Sequence, residues 1–147
     1  MDSILIREAE SRDAEAFFRL NRDAMGYDFD LDRTRRRLDF VLQKNGHKIF
    51  VAEQNGTVVG YVHAEDYELI YSEPLKNILG IAVAEDARRQ GIGGRLLCAV
   101  EDWARRTGAS GVRLVSGCQR TGAHRFYEAQ GYISRKDQKN YIKLFEK

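Results

Sequence analysis

The stretch Ile78-Leu79-Gly80-Ile81-Ala82-Val83-Ala84-Glu85-Asp86-Ala87-Arg88-Arg89-Gln90-Gly91-Ile92-Gly93-Gly94-Arg95-Leu96-Leu97 lies at the centre of the chain's organisation. It opens with an apolar run, Ile78 to Ala84, whose length and branched residues predict a buried strand. A charged turn and a glycine cluster follow. Apolar residues then recur at intervals of three and four, which predicts an amphipathic helix. A strand, a glycine-rich turn and a helix are therefore expected in succession.

The glycine-rich turn has the chemistry of an anion site. The first N–H groups of a helix have no internal partner, and the helix dipole places partial positive charge there. Glycines at 91, 93 and 94 leave those amides open to a phosphate. Nearby arginines add positive charge: Arg88, Arg89 and Arg95. The pattern favours a bound phosphate, and the alternative is a tight junction in which the glycines only reverse the chain.

The spacing of the glycines indicates which phosphate. A Walker A loop ends in Gly-Lys-Ser/Thr, whereas this loop reads Gly94-Arg95-Leu96. A dinucleotide fingerprint needs a third glycine where Leu96 stands. What remains, Arg88-x-x-Gly91-x-Gly93, resembles the acyl-CoA-binding motif Arg/Gln-x-x-Gly-x-Gly/Ala of the GNAT superfamily of N-acyltransferases.

A second segment carries the same resemblance. Residues 120–132, Arg-Thr-Gly-Ala-His-Arg-Phe-Tyr-Glu-Ala-Gln-Gly-Tyr, look like the family pattern Asn-x-x-Ala-x-x-Phe-Tyr-x-x-x-Gly-Phe. In many members the tyrosine that matches Tyr127 lies beside the CoA sulfur as general acid, and a phenol of pKa about 10 is protonated at neutral pH. The alternative is a core aromatic. Arg120 replaces the usual asparagine, so its partner is a CoA phosphate, a substrate carboxylate or solvent.

The resemblance also implies where acetyl-CoA binds. The backbone of Ile81, Ala82 and Val83 is expected to pair with the pantetheine amides, as an added strand would. The strands Ile78–Ala84 and Val112–Ser116 are expected to splay apart and admit the pantetheine arm. One group of residues is expected around the pyrophosphate: Arg88, Arg89, Gln90, Gly91, Ile92, Gly93, Gly94 and Arg95.

The rest of the chain supplies the remaining elements of a mixed fold. Asn55-Gly56 between two β-rich runs predicts a hairpin. The expected order begins with a strand at 4–8, a helix from Ser11 or Asp13, a polar loop at 21–30 and a second helix at 31–44. The hairpin strands at 47–54 and 57–66 come next, before the central strand and helix. A strand at 112–116, a helix at 121–130 and a final antiparallel pair at 132–135 and 140–145 complete the chain. This order predicts a single α+β (mixed α/β) domain over residues 1–147. It matches the GNAT fold, whose mostly antiparallel mixed sheet has splayed parallel strands and flanking helices.

Composition limits the partners. Lys+Arg total 24 and Asp+Glu total 22, so the net charge of +2 argues against a nucleic-acid partner. No apolar run reaches the roughly 18 residues that span a bilayer, so no membrane partner is expected. The N-terminus lacks a signal-peptide pattern, which indicates a cytoplasmic protein. Cys98 and Cys118 have no metal-ligand spacing, so no metal is expected; Cys98 is predicted on the buried side of its helix.

The function implied by the resemblance is N-acetylation. Acetyl-CoA would be the co-substrate, and a primary amine of a small molecule or a protein would attack the thioester directly in a ternary complex. His63, Glu65, Asp66, Glu68 or a water chain remain open as the base, and His124 is a weaker candidate for acid or base. Two alternatives stay open: a non-catalytic acyl-CoA-binding sensor and an unrelated binder of nucleotide phosphates. Homodimers are common among relatives, so a second copy is also a candidate partner.

Overall fold

Five strands form one mixed sheet. A computed structural model describes residues 3–146, which fall into two compact units, one ending at Leu114 and the other beginning at Val115. The first unit contains the strands β1 (Ile4–Glu8), β2 (His47–Gln54), β3 (Thr57–Tyr67), β4 (Leu75–Val83) and β5 (Val112–Leu114), which lie in that order. Neighbours from β1 to β4 are antiparallel, whereas β4 and β5 are parallel. The predicted mixed α/β fold is confirmed.

Helices cover both faces of this sheet. They are α1 (Ala14–Met25), α2 (Leu31–Leu42) and α3 (Ile92–Arg106). Tyr61 in β3 places its ring 4.6 Å from that of Phe17 in α1, whereas a Cβ on the preceding Gly60 would lie 3.3 Å from Leu96 in α3. Successive strand residues point to opposite faces, so α1 and α3 pack on opposite sides. Residues 21–25 extend α1 into the predicted loop, and the helix ends at Gly26 with φ 74°.

The central hairpin is buried on both faces. Residues 49–52 of β2 are all buried, so this strand is a continuous apolar run and not an alternating one. Its turn has positive φ at both central residues, 53° at Asn55 and 80° at Gly56, as a type I′ turn requires. The register shifts by one residue between Ala52 and Glu53. The predicted hairpin is therefore present, with a bulge that the sequence did not indicate.

The start of α1 is fixed by a buried ion pair. Asp13 is 4% exposed, and its two carboxylate oxygens each accept a hydrogen bond of 2.9 Å from Arg7. One of them also accepts from the Glu10 N–H at 2.8 Å. Burial raises the pKa of Asp13, but the bonds from Arg7 and Glu10 and the charge of Arg7 outweigh it, so the net shift is downward. The pair joins β1 to the first helix.

Asp13→Asn should lower the free energy of unfolding by about 3 kcal/mol, because it leaves a partly buried guanidinium without its main partner. A carboxyl whose folded pKa is depressed stabilises the fold above its unfolded pKa of about 3.9, and that stability is lost as the pH falls through the folded pKa. Urea unfolding from pH 3 to pH 7 measures both effects. The variant should lose less stability than wild type on acidification. Asp32→Asn, at an exposed position, is the matched control, and equal effects of the two changes would contradict this account.

The second unit contains one helix, α4 (Thr121–Ala129), among the described residues. The predicted antiparallel pair at 132–135 and 140–145 is wrong, because residues 132–146 form neither helix nor strand. Alternating apolar side chains suit a strand, but a strand also needs a neighbour to receive its hydrogen bonds, and a two-stranded ribbon alone is marginally stable. The alternating apolar residues therefore indicated that this segment could form a strand, but they did not indicate a neighbouring strand with which it would pair.

Cys98 is exposed, so its predicted place on the buried side of α3 is wrong. The buried stripe of α3 contains Leu96, Leu97 and Val100, and position 98 falls outside it.

Among residues 3–146, none of the helices has both the length and the apolar character needed to cross a membrane.

Candidate active site

The turn between β4 and α3 reverses the chain with two left-handed residues. Arg89 has φ 68° and Gly91 has φ 77°, and Gly91 is the residue that precedes the first turn of α3. No side chain caps this end of the helix. Within the described residues, no hydrogen bond engages the N–H groups of Ile92, Gly93 and Gly94. These amides form the electropositive helix end that the sequence predicts.

The predicted phosphate residues are not equivalent. Arg88, Arg89 and Arg95 are exposed, and the Arg88 Nε also donates to the Val83 carbonyl at 3.2 Å. The Ile92 side chain is buried, so only its backbone faces the turn. Gln90 donates to the Ala87 carbonyl at 3.1 Å and accepts from Gln54 at 2.8 Å. In this structure Gln90 therefore stabilises the turn, and the cationic surface comes from the three arginines.

Pairing between β4 and β5 ends before β4 does. The last parallel pair is Ile78 with Leu114, whereas β4 continues to Val83 and pairs there with β3 alone. Leu79 is the extra residue of a bulge, because Ile78 lies opposite Ala64 and Gly80 lies opposite His63. In the part of the chain that the structure describes, the edge of residues 79–83 that faces away from β3 has no strand partner. Such an edge can receive an extended ligand.

The open edge and the helix end are close in space. A Cβ on Gly60 would lie 3.1 Å from the Ala82 carbonyl oxygen and 3.4 Å from the Ile92 side chain. Any larger residue at position 60 would push the start of α3 away from β4. Gly60 therefore allows β4 at Ala82 and the start of α3 at Ile92 to lie close together.

A line of polar side chains runs along the sheet just before the strands separate. The Glu65 carboxylate accepts a hydrogen bond of 2.9 Å from Asn77 Nδ2, and the side-chain Oδ1 of Asn77 accepts one of 2.6 Å from the Arg113 guanidinium. The Arg113 guanidinium also lies 4.3 Å from the centre of the Tyr67 ring. Asn77 is the residue before Ile78, where β4–β5 pairing ends. Anionic and cationic groups therefore flank the separation point.

The same face of the sheet contains two histidines. His47 Nδ1 lies 2.9 Å from His63 Nε2, so one nitrogen donates and the other accepts. Burial and, to a smaller extent, the neighbouring His47 lower the pKa of His63 to about 4, although Glu65 opposes the shift. His63 is therefore neutral at pH 7, and one of its ring nitrogens is engaged.

The carboxylates named as candidate bases differ in their surroundings. Asp66 pairs with the buried ammonium of Lys76 at 2.5 Å, and that ammonium also lies 3.9 Å from the centre of the Trp103 ring. Glu68 is exposed in the loop after β3. Glu65 is half-buried in β3 and belongs to the polar line. Of the three, Glu65 is the carboxylate best placed to serve chemistry at the separated strands.

The second predicted signature forms α4 in the second unit. Tyr127 is 8% exposed, and its ring lies 5.3 Å from Phe126 and 6.3 Å from Tyr132 between centroids. Burial raises the pKa of Tyr127, while the charge of Arg120 opposes the shift. Among residues 3–146 no hydrogen bond involves its hydroxyl. The phenol is therefore protonated at neutral pH, and its O–H group is available to donate a hydrogen bond or a proton.

The two other candidates in this unit have local surroundings. His124 Nε2 lies 2.8 Å from the Gly117 carbonyl, and because a carbonyl only accepts, this nitrogen must carry the proton. His124 thereby joins α4 to the preceding turn, which leaves less reason to regard it as an acid or base. Arg120 is exposed and precedes the first turn of α4.

Sequence reasoning missed Asn77, Arg113 and the contact between His47 and His63. None of these residues belongs to a motif, and their proximity depends on strand register. The only signal available was the density of polar residues on strands that are otherwise apolar.

Comparison with known proteins agrees with this geometry. The sequence model of the Acetyltransferase (GNAT) family matches residues 14–132. The uncharacterised N-acetyltransferase YhfO of Bacillus subtilis strain 168 is 32% identical over 133 residues, which covers 86% of this chain and 88% of that protein. The aminoalkylphosphonate N-acetyltransferase of Salmonella typhimurium strain LT2 is 28% identical over 128 residues, covering 86% of this chain and 83% of its own length.

A solved structure shows the same fold. The aminoglycoside N-acetyltransferase AAC(6')-Iy in complex with CoA superposes with a TM-score of 0.87 at 20% identity, over 97% of this chain and 96% of its own. The family model spans most of the chain, and a relative above 30% identity is named an N-acetyltransferase. The chain therefore belongs to the GNAT family and is an acetyl-CoA-dependent N-acetyltransferase.

Proposed function

We propose that this enzyme transfers the acetyl group of acetyl-CoA to a primary amine by direct attack in a ternary complex, and that residues 1–147 act as one catalytic domain. The observation that carries the proposal is the early end of β4–β5 pairing at Ile78 and Leu114, beside an uncapped helix end. An acyl-CoA molecule needs both features, an edge for its pantetheine amides and amides for its diphosphate. The family model extends across both units, which supports a single domain.

In this proposal each end of CoA has its own partners. The diphosphate accepts hydrogen bonds from the N–H groups of Ile92, Gly93 and Gly94, with Arg88, Arg89 and Arg95 around it. Gln90 contributes by holding the turn. The pantetheine amides pair with the backbone of Ile81, Ala82 and Val83, and the Arg88–Val83 bond opens if the pantetheine needs that carbonyl. Arg120 is the remaining cation proposed for the cofactor.

The chemical step is addition of the amine followed by loss of the thiolate. The amine nitrogen first forms a bond to the acetyl carbon, and the carbon–sulfur bond then breaks as the tetrahedral intermediate collapses. Glu65 takes the proton that the nitrogen loses, through a water molecule, and Tyr127 gives its phenol proton to the CoA sulfur. Solvent then reprotonates Tyr127 and takes the proton from Glu65. Holding both substrates in line supplies much of the rate, because oriented reactants reach high effective molarities.

The polar line favours acceptors that carry both charges. Glu65 attracts an ammonium, and Arg113, on the other side of Asn77, attracts an acidic group. A purely cationic amine would satisfy only Glu65. The acceptor panel should therefore contain amino acids and aminoalkylphosphonates beside polyamines and aminoglycosides.

The test is a thiol-release assay with acetyl-CoA and this panel, followed by mass spectrometry of the product. Acetylation of at least one amine, together with competition by CoA and not by ATP, is the expected result. Binding of CoA by calorimetry with no thiol release from any amine would favour a sensor instead. Competition by ATP would favour a general binder of nucleotide phosphates.

Glu65→Gln should lower kcat/KM about 100-fold at neutral pH, a typical loss for one proton-transfer group, while the Kd for CoA stays unchanged. Glu68→Gln removes an exposed carboxylate three residues away and is the matched control. The assignment is wrong if the two variants lose activity equally.

A further inference from the structure

A cavity lies beside the C-terminal end of α3. Its volume is about 270 Å³, and its walls come from the end of β3, the start of β4 and the end of α3 with the turn that follows. Roughly nine water molecules occupy such a volume in the liquid, and ligand pockets begin at about 300 Å³. The cavity therefore has the size for a small organic molecule.

Its position separates this cavity from the site described above. Asp66 and Lys76, which line it, are cross-strand partners in β3 and β4. Their sequence neighbours Glu65 and Asn77 point to the opposite face of the sheet. Trp103, also in the wall, lies in the last turn of α3, about three turns or roughly 16 Å from the uncapped amides of that helix. The cavity is therefore distinct from both the polar line and the amides proposed for the diphosphate.

The wall of the cavity contains a buried ammonium with an unused donor. The Lys76 side chain is 6% exposed. Its ammonium donates to Asp66 at 2.5 Å and lies 3.9 Å from the centre of the Trp103 ring. An ammonium has three N–H donors, and within residues 3–146 no third group engages it. Because an unused donor on a buried charge is costly, an acceptor from a ligand would be favourable here.

Negative groups face the same cavity where it opens to solvent. Asp66 is 47% exposed, so the carboxylate that pairs with Lys76 is accessible to a ligand as well. Glu68 also lines the cavity and is exposed, and the C-terminal end of α3 adds partial negative charge. These groups repel a simple anion, whereas a simple cation would leave the Lys76 donor unused.

We propose that this cavity binds a small zwitterion, a free α-amino acid. Its carboxylate accepts from Lys76, its ammonium donates to the exposed side of Asp66, and its side chain packs against Leu75 and Ala109, which complete the wall. The charges of ligand and protein then lie head to tail, so each meets an opposite charge. This site stands apart from acetyl transfer and does not rest on the proposed function.

The experiment is a fluorescence titration without acetyl-CoA. Trp103 is the only tryptophan of the 147 residues, so its emission reports on the cavity itself. The probe is L-valine, and its matched analogues are isobutylamine, which lacks the carboxylate, and isovalerate, which lacks the ammonium. We expect saturable binding of L-valine with a Kd on the order of 1 mM. Each analogue should bind at least tenfold more weakly, because it loses a charged hydrogen bond.

Two independent substitutions test the site. Lys76→Met keeps the length of the side chain, removes its charge and should weaken L-valine binding at least tenfold. Ala109→Phe fills the cavity without changing a charge and should abolish binding. Ser110→Phe, at the next and exposed position outside the cavity wall, is its matched control and should bind as wild type does. Circular dichroism verifies that each variant is folded.

A substitution in the polar line distinguishes this cavity from the acceptor site. Arg113→Met should leave the Kd for L-valine unchanged, and a tenfold loss there would place the amino acid at the polar line and overturn the proposal. No saturable change at twenty times the expected Kd, equal affinity for either analogue, or binding that survives in Lys76→Met or in Ala109→Phe would each overturn it too. None of these readouts requires acetyl transfer, so the proposed function can fail or hold separately.

Discussion

Replacing Gly91 by glutamate is expected to weaken CoA binding at least 100-fold, which corresponds to about 2.7 kcal/mol. The residue precedes α3 at φ 77°, beside the uncapped amides proposed to hold the diphosphate. A carboxylate there would accept from the same N–H groups and would repel the phosphates. Titration calorimetry with CoA measures the loss.

A control separates this charge effect from backbone strain. A Cβ at Gly91 would meet no atom within 4 Å, so steric clash with the fold is absent, and the remaining cost is the left-handed conformation. Asparagine adopts this conformation more readily than other residues and carries no charge. Gly91→Asn should therefore stay within about tenfold of wild type. Unaltered CoA affinity in Gly91→Glu would remove the diphosphate from this helix end.

Tyr127→Phe is expected to slow the chemical step about 100-fold or more, the usual cost of losing a general acid, while the Kd for CoA changes little. Burial raises the pKa of this phenol, so the wild-type enzyme keeps its acid protonated through neutral pH. The alkaline limb of its rate profile should lie above the ordinary tyrosine value of about 10. Single-turnover acetylation, followed by rapid quench, measures the step directly.

Tyr71→Phe is the matched control, since it removes a hydroxyl from an exposed loop side chain. It should leave the single-turnover rate unchanged. An unchanged rate in Tyr127→Phe would refute the acid role. A joint loss of CoA affinity and thermal stability in that variant would instead identify Tyr127 as a packing residue of α4.

Local chemistry predicted the hairpin but not the face on which its histidines lie. A two-residue turn at Asn55-Gly56 alone would place His47 opposite Ala64, and His63 would then lie on the other face of the sheet. The bulge between Ala52 and Glu53 shifts the register by one residue, so His47 faces Glu65 and Ile49 faces His63. One residue of register moves side chains between faces. No feature of the sequence located this bulge.

The motif residues were predictable for a different reason. The glycine-rich helix end with open amides depends on neighbours in the chain, so spacing alone indicated it, whereas the left-handed conformation of Gly91 emerged only from the structure. The end of β4–β5 pairing came from the family resemblance, because strand separation is a long-range property. The C-terminal strands were mispredicted for the same physical reason: alternation describes one strand, whereas a ladder requires two.

Residue-resolved hydrogen exchange with and without CoA tests the central claim most directly. Binding should protect the amides of residues 79–83, at the unpaired edge of β4, and those of Ile92, Gly93 and Gly94 at the start of α3. The amides of β1 should exchange at the same rate in both states. Exchange at residues 79–83 and 92–94 that does not change when CoA is bound would contradict the account.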